Sequence, residues 1–202
     1  MEEQKNSRLR KILVPAIVIA LLFGLPAGSW LYLQRGLDYR KQSLSELSDL
    51  GKPTSYQLKN QRNLEVGPES FRGRVTVVNF LPNDREKALL LSDRMAKVHQ
   101  SFDDTEDVFF LTFMPVDTSQ KLLDIALSLG IKDDKQWYLI GTQADEWQRL
   151  ASEVYKIPDP ANGVALVDTS LTIRKYYDIN LDKDMGRLVE HIAIVIPQQK
   201  RR

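Results

Sequence analysis

The chain contains no cysteine. That excludes disulfides, thiol nucleophiles, thiolate metal sites and iron–sulfur clusters from its own chemistry. Histidine is nearly as scarce, with only His99 and His191, and neither follows a strand end where a catalytic imidazole would be held. The ten glycines never fall into a phosphate-cradling loop, a dinucleotide fingerprint or a Gly-x-Ser-x-Gly elbow. A net charge of +1, with no basic run outside the short ends, leaves no electrostatic footprint for nucleic acid. No nucleic-acid partner is expected. The four methionines, Met1, Met95, Met114 and Met185, lie too far apart in sequence for a thioether metal site.

What the chain does have is one long apolar run. Residues 1–11 form a polar tail carrying Lys5, Arg8, Arg10 and Lys11, and from Ile12 to Leu33 there is no charge. About 22 residues make a helix of roughly 33 Å, against a hydrocarbon core of about 30 Å, so a transmembrane helix is expected here. Trp30 and Tyr32 suit an interfacial belt, and Pro15, Gly24, Pro26 and Gly28 are tolerated in lipid. A cleaved signal peptide would use the small residues 27–29, but the apolar run continues beyond them to Leu33. The uncleaved anchor is preferred, with the N-terminus inside and the following domain on the non-cytoplasmic side. Residues 34–52, polar with scattered leucines, read as a partly helical linker, and Gly51 and Pro53 mark the start of a domain at residues 53–198. A basic tail, 199–202, follows.

Within that domain strands and helices alternate. Residues 56–58 and 63–66 suggest an entry hairpin. Residues 75–80, VTVVNF, are nearly continuous in apolar and β-branched side chains, as in a strand covered on both faces. After a turn at 82–85, Ala88, Leu91, Met95, Val98 and Phe102 recur at helical spacing, with Asn83 or Asp84 as N-cap. The acidic loop 103–107 (DDTED) lacks the glycine and spacing of a calcium loop and reads as a solvated turn. Residues 108–116 form a second buried strand, and Asp117-Thr118-Ser119 precedes a helix that stops at Gly130. Residues 137–140 are a third strand, and Thr142 with Asp145 matches a capping box for the next helix. A hairpin follows (164–167 and 171–177, turning at Asp168-Thr169-Ser170), then a last helix at 183–196 carrying Met185, Leu188, Val189, Ile192 and Val195. The order is that of an α/β, thioredoxin-like central sheet with flanking helices, its parallel strands joined by right-handed crossovers.

Four stretches carry a closer likeness: YQLKNQRNLEVGPESFRGRVTVVNF, FLTFMPVD, WYLIGTQADEWQRLASEVYKI and VALVDTSLTIRKYYD. In order and spacing they resemble the SCO/SenC family of membrane-anchored copper chaperones for cytochrome oxidase, from Tyr56 to the C-terminal helix. The resemblance implies a Cys-x-x-x-Cys pair just after the strand at 75–80 and a histidine before the strand at 164–167, together binding copper. Here those places read LPNDREKAL (81–89) and IPDPANG (157–163). The chain is thus similar to a divergent member that lacks the redox and copper groups. No catalytic, metal-binding or cofactor-binding residue is assigned, no cofactor is expected, and the binding residues stay open.

The resemblance implies a protein partner in a respiratory oxidase or its assembly apparatus, reached from a single-pass inner or cytoplasmic membrane anchor. A non-catalytic assembly or accessory factor is the leading expectation; the alternative is a permanent structural subunit or general protein-binding module of a membrane complex. An enzymatic reading would require perturbed ionisable groups clustered in a pocket. The oligomeric state stays open. The polar face Asn83-Asp84-Arg85-Glu86 is expected to be exposed, as a helix cap and ordinary solvated turn.

Overall fold

The computed structural model describes residues 20–116 and 121–197. The Asp117-Thr118-Ser119 cap, the two polar tails and the first part of the expected span, residues 12–19, lie outside the described residues. The chain divides into two compact units, Met1–Leu44 and Ser45–Arg202.

In the first unit a π-helical turn, Ala20–Gly24, leads into helix α1, Leu25–Ser45. Leu25, Trp30, Leu31, Tyr32 and Leu33 are exposed on it. The helix does not stop where the apolar run stops. Gln34, Arg35, Leu37 and the residues around Arg40 are good helix formers, so α1 continues to Ser45, through the first part of the segment read as a partly helical linker. No helix among the described residues is long and apolar enough to cross a membrane.

The second unit begins at Ser45, ahead of the Pro53 boundary expected from composition. A short hairpin comes first, β1 (Leu58–Lys59) with β2 (Glu65–Val66). It is narrower than the periodicity predicts, because Asn60 turns the chain early: its Oδ1 accepts the amides of Arg62 and Leu64. The five-stranded sheet follows, with β3 (Val75–Phe80), β4 (Val108–Pro115), β5 (Trp137–Thr142), β6 (Gly163–Val167) and β7 (Ile173–Asp178) in the order β5-β4-β3-β6-β7. β3, β4 and β5 are parallel, while β6 and β7 run antiparallel to their neighbours. The helices are α2 (Arg85–His99), α3 (Leu122–Ser128), α4 (Ala144–Arg149, continued by a π turn at Leu150–Val154) and α5 (Asp182–Val195).

Every residue of β3 is buried, as a central strand covered on both faces requires. Its odd-numbered residues Val75 and Val77 pack with Ala88, Leu91 and Met95 of α2 and Leu188 and Ile192 of α5. Val78 and Phe80 face the other way, against Leu150, Val154, Tyr155 and Phe71. Met95 and Met185 are therefore core residues, and Phe102 stays in the core although α2 ends at His99, three residues before it. The helix after β5 starts differently from its capping-box signature: Gln143 occupies the N-cap without a side-chain bond, and Thr142 remains in β5 with its hydroxyl buried and unpartnered. Pairing with β4 extends to Thr142, so the strand claims the residue that local pattern assigns to the helix. The glycine stop at Gly130 is present, with φ +78° and Ile131 N–H donating to Ala126 O at 2.9 Å.

Neither sheet edge is bare. Beside β5, the side-chain amide of Gln61 imitates a strand: Nε2 donates to Trp137 O at 2.8 Å and Oε1 accepts Leu139 N–H at 2.9 Å. Beside β7, Ser48 and Leu50 donate to Arg174 O and Ile173 O, and Ile173 N–H donates to Gly51 O, each at 2.9 Å. Such covering removes the template an open edge offers to another chain.

Candidate functional site

The turn after β3 is the first of the two places that the resemblance to SCO/SenC proteins names. Leu81 still belongs to the sheet, with its amide donating to Phe113 O at 2.8 Å and its side chain fully buried. The chain then leaves through Pro82, and Asp84 takes the N-cap of α2, its Oδ1 accepting Lys87 N–H at 2.8 Å. Glu86 in the first turn complements the helix dipole. Asn83, Asp84, Arg85 and Glu86 are all exposed. The carboxylate nearest the position expected for a thiolate therefore satisfies backbone donors of the helix. Asp84→Ala is expected to destabilise the domain by about 0.5–2 kcal/mol, the usual cost of a lost cap; urea denaturation of Asp84→Ala beside Asp84→Asn checks it, since asparagine can still cap.

The second position lies at the same end of the sheet. β6 runs antiparallel to β3 with Asn79 opposite Val164, which brings residues 157–163 alongside the carboxyl end of β3. This loop folds on Asp159, whose Oδ1 accepts Ala161 N–H at 3.1 Å, whose Oδ2 accepts Asn162 Nδ2–H at 2.7 Å, and whose carbonyl accepts Gly163 N–H at 2.6 Å. An open cleft of about 220 Å³ lies beside it, lined by Pro158, Asp159, Asn162 and Tyr176. The two places named by the resemblance are thus at one end of the fold, and each is occupied by a self-satisfied turn. Among the described residues no group of three or more His, Cys, Asp or Glu is arranged to hold a metal ion.

The histidines lie elsewhere. His99 ends α2, the opposite end from the turn; its Nε2 is 3.2 Å from Asp133 Oδ2 and its ring packs on Phe110 and Trp137. His191 is fully buried on α5, with Nδ1 2.7 Å from the Tyr177 hydroxyl. Both are tied into the core.

His191 belongs to a cluster with no obvious mark in the sequence. Glu46, just beyond α1, accepts from Lys175 Nζ at 2.6 Å and from Arg187, which also donates to Glu190 at 2.6 Å. The Lys175 hydrogen bond, with that from Arg187, holds the Glu46 carboxyl below the usual carboxylate range. Burial raises the Tyr177 phenol and lowers His191, the latter reinforced by Lys175. Sequence reading passes over Glu46 because its partners stand 129 and 141 positions away; Leu47, an apolar residue in a polar stretch, is the one local hint that the segment packs.

Two larger depressions lie elsewhere on the described surface. A groove of about 800 Å³ between α2 and α5 is lined by Leu90, Arg94, Lys97, Asp182, Met185 and Gly186. An acidic one of about 600 Å³ includes Asp103, Asp104, Glu106 and Asp133, with Arg74 and Lys135.

No protein-family model and no curated protein matches the sequence. Solved structures do match the fold. BsSco, a member of the Sco family of cytochrome c oxidase assembly proteins in which a disulfide switch was identified, superposes with a TM-score of 0.60 at 16% identity, over 75% of this chain and 98% of that one. A SCO1/SenC family lipoprotein from Bacillus anthracis gives 0.54 at 17% identity, covering 71% and 94%. The thioredoxin domain of a thiol-disulfide oxidoreductase from Bacteroides vulgatus gives 0.53 at 18%, covering 71% and 96%. The unit after α1 therefore has a thioredoxin-like α/β fold, which it shares with SCO-family proteins and with thiol-disulfide oxidoreductases.

Proposed function

We propose that this chain is a membrane-anchored, SCO-like protein that works by binding, as a non-catalytic assembly or accessory factor for a respiratory oxidase. One observation carries the reading. The thioredoxin-like frame shared with such proteins is present, yet the turn after β3 is built from Leu81, Pro82 and the capping Asp84, and the loop before β6 from an Asp159 turn. Without thiolates, neither disulfide exchange nor a thiolate copper site is open to this chain. The scaffold then offers surface instead of chemistry. The anchor is the apolar run from Ile12 to Leu33, with the domain on the non-cytoplasmic side; its length and its aromatic flank support this.

The test is affinity purification of the tagged full-length protein from gently solubilised membranes. Substoichiometric capture of oxidase subunits or of assembly proteins is the expected result, and stoichiometric retention in one complex would make the protein a permanent subunit instead. High-affinity binding of Cu(I) at one defined site of the purified protein would overturn the reading.

A further inference from the structure

We propose that Glu46, Lys175 and Arg187 form an acid-released latch that fastens residues 45–51 over the outer edge of β7. The strap is held in three ways. Leu47 is buried in the core formed with α2 and α5. Backbone bonds join Ser48, Leu50 and Gly51 to Ile173 and Arg174. Between these holds and α1, Glu46 reaches Lys175 on β7 and Arg187 on α5, so that one carboxylate joins three segments.

Beneath the carboxylate lies a group that can change charge. His191 is fully buried, and its Nδ1 is 2.7 Å from the Tyr177 hydroxyl. The phenol has a proton to give, which makes Nδ1 the acceptor and puts the imidazole proton on Nε2. That nitrogen faces Glu46 Oε2 at 3.7 Å, too far for a hydrogen bond, and has no other partner among the described residues. The charged and titratable groups around it are Glu46 from the strap, Lys175 and Tyr177 from β7, and Arg187 and Glu190 from α5. Two cations already balance two carboxylates in this space. A proton on Glu46 removes the anion that Lys175 and Arg187 share.

Glu46 drives the release. It is held below its ordinary 4.5, chiefly by the Lys175 hydrogen bond, so it binds its proton more readily once the strap has left. Its hold is complete above 4.5 and declines as pH falls below that value. His191 does not drive release: burial and Lys175 lower it, but the Glu46 carboxylate favours its charged form. Release leaves β7 with an unpaired edge and vacates the seat of Leu47.

Amide hydrogen exchange of the full-length protein in detergent, followed from about pH 7 down to about pH 3 and divided by intrinsic rates, reads the latch directly. Protection at Ser48, Leu50 and Ile173 is expected to fall at least about tenfold more than at Val77 and Leu111, whose amides lie in the central strands. Glu46→Gln should show the low strap protection already at neutral pH, and Lys175→Met, which removes a partly exposed cation, should do so if Glu46→Gln does not fold. Strap amides that track Val77 and Leu111 through the whole series, or a folded variant with wild-type strap protection at neutral pH, would overturn the latch.

Discussion

Phe113→Ala is expected to cost about 3–5 kcal/mol, a large share of the roughly 5–15 kcal/mol by which a domain of this kind is stable. Phe113 is fully buried on β4 and stacks on Phe80 with ring centroids 4.9 Å apart. Tyr56 meets it edge-on at 5.8 Å and Tyr155 tilts against it at the same distance. The phenols of those two tyrosines share a 2.7 Å hydrogen bond that holds the entry segment to the π turn after α4. Truncating Phe113 therefore opens a cavity among rings that cannot collapse without breaking a buried polar pair. Equilibrium urea denaturation measures the cost, with Phe113→Leu expected to lose clearly less. A loss below about 1 kcal/mol for alanine would show that this cluster does not anchor the second face of the sheet.

Gly163→Ala is expected to destabilise the domain by about 1–3 kcal/mol, the range of an overpacked core. A Cβ there would stand 2.3 Å from Ile157 Cγ2 and 2.6 Å from the Asp159 carbonyl oxygen, and the second of these is backbone that cannot swing aside. The loop before β6 closes on itself only because this residue has no side chain. Gly186 supplies the contrast: it lies inside α5 with nothing within 4 Å of an added Cβ. Gly186→Ala should instead gain up to about 1 kcal/mol through helix propensity. Thermal melts of the two variants side by side decide it, and equal shifts in the same direction would contradict the packing account.

The strands of the sheet were legible because burial on both faces leaves a run such as VTVVNF, and α2 and α5 because one face at helical spacing must meet the core. The cap was legible to within one residue, Asn83 or Asp84, because the signal is local, and the structure places it at Asp84. Thr142 shows the limit of such signals. Its spacing to Asp145 fits a capping box, but pairing of β5 with β4 outweighs it. The packing of residues 45–51 escapes local signals for a similar reason. A polar stretch with isolated leucines looks like a linker until Leu47 and Glu46 find partners that lie far away in sequence.

Composition and order alone exclude thiol chemistry, set the alternation of strands and helices and place a polar turn after the central strand, since each of these depends on residue identity or on neighbours within a few positions. The tertiary structure decided how the edges are closed and where the charges meet: Gln61 against β5, residues 48–51 against β7, and Glu46 over Lys175, Arg187 and His191. Those contacts join segments that no local pattern relates, and they exist only once folding has paid the entropy of bringing distant parts of the chain together.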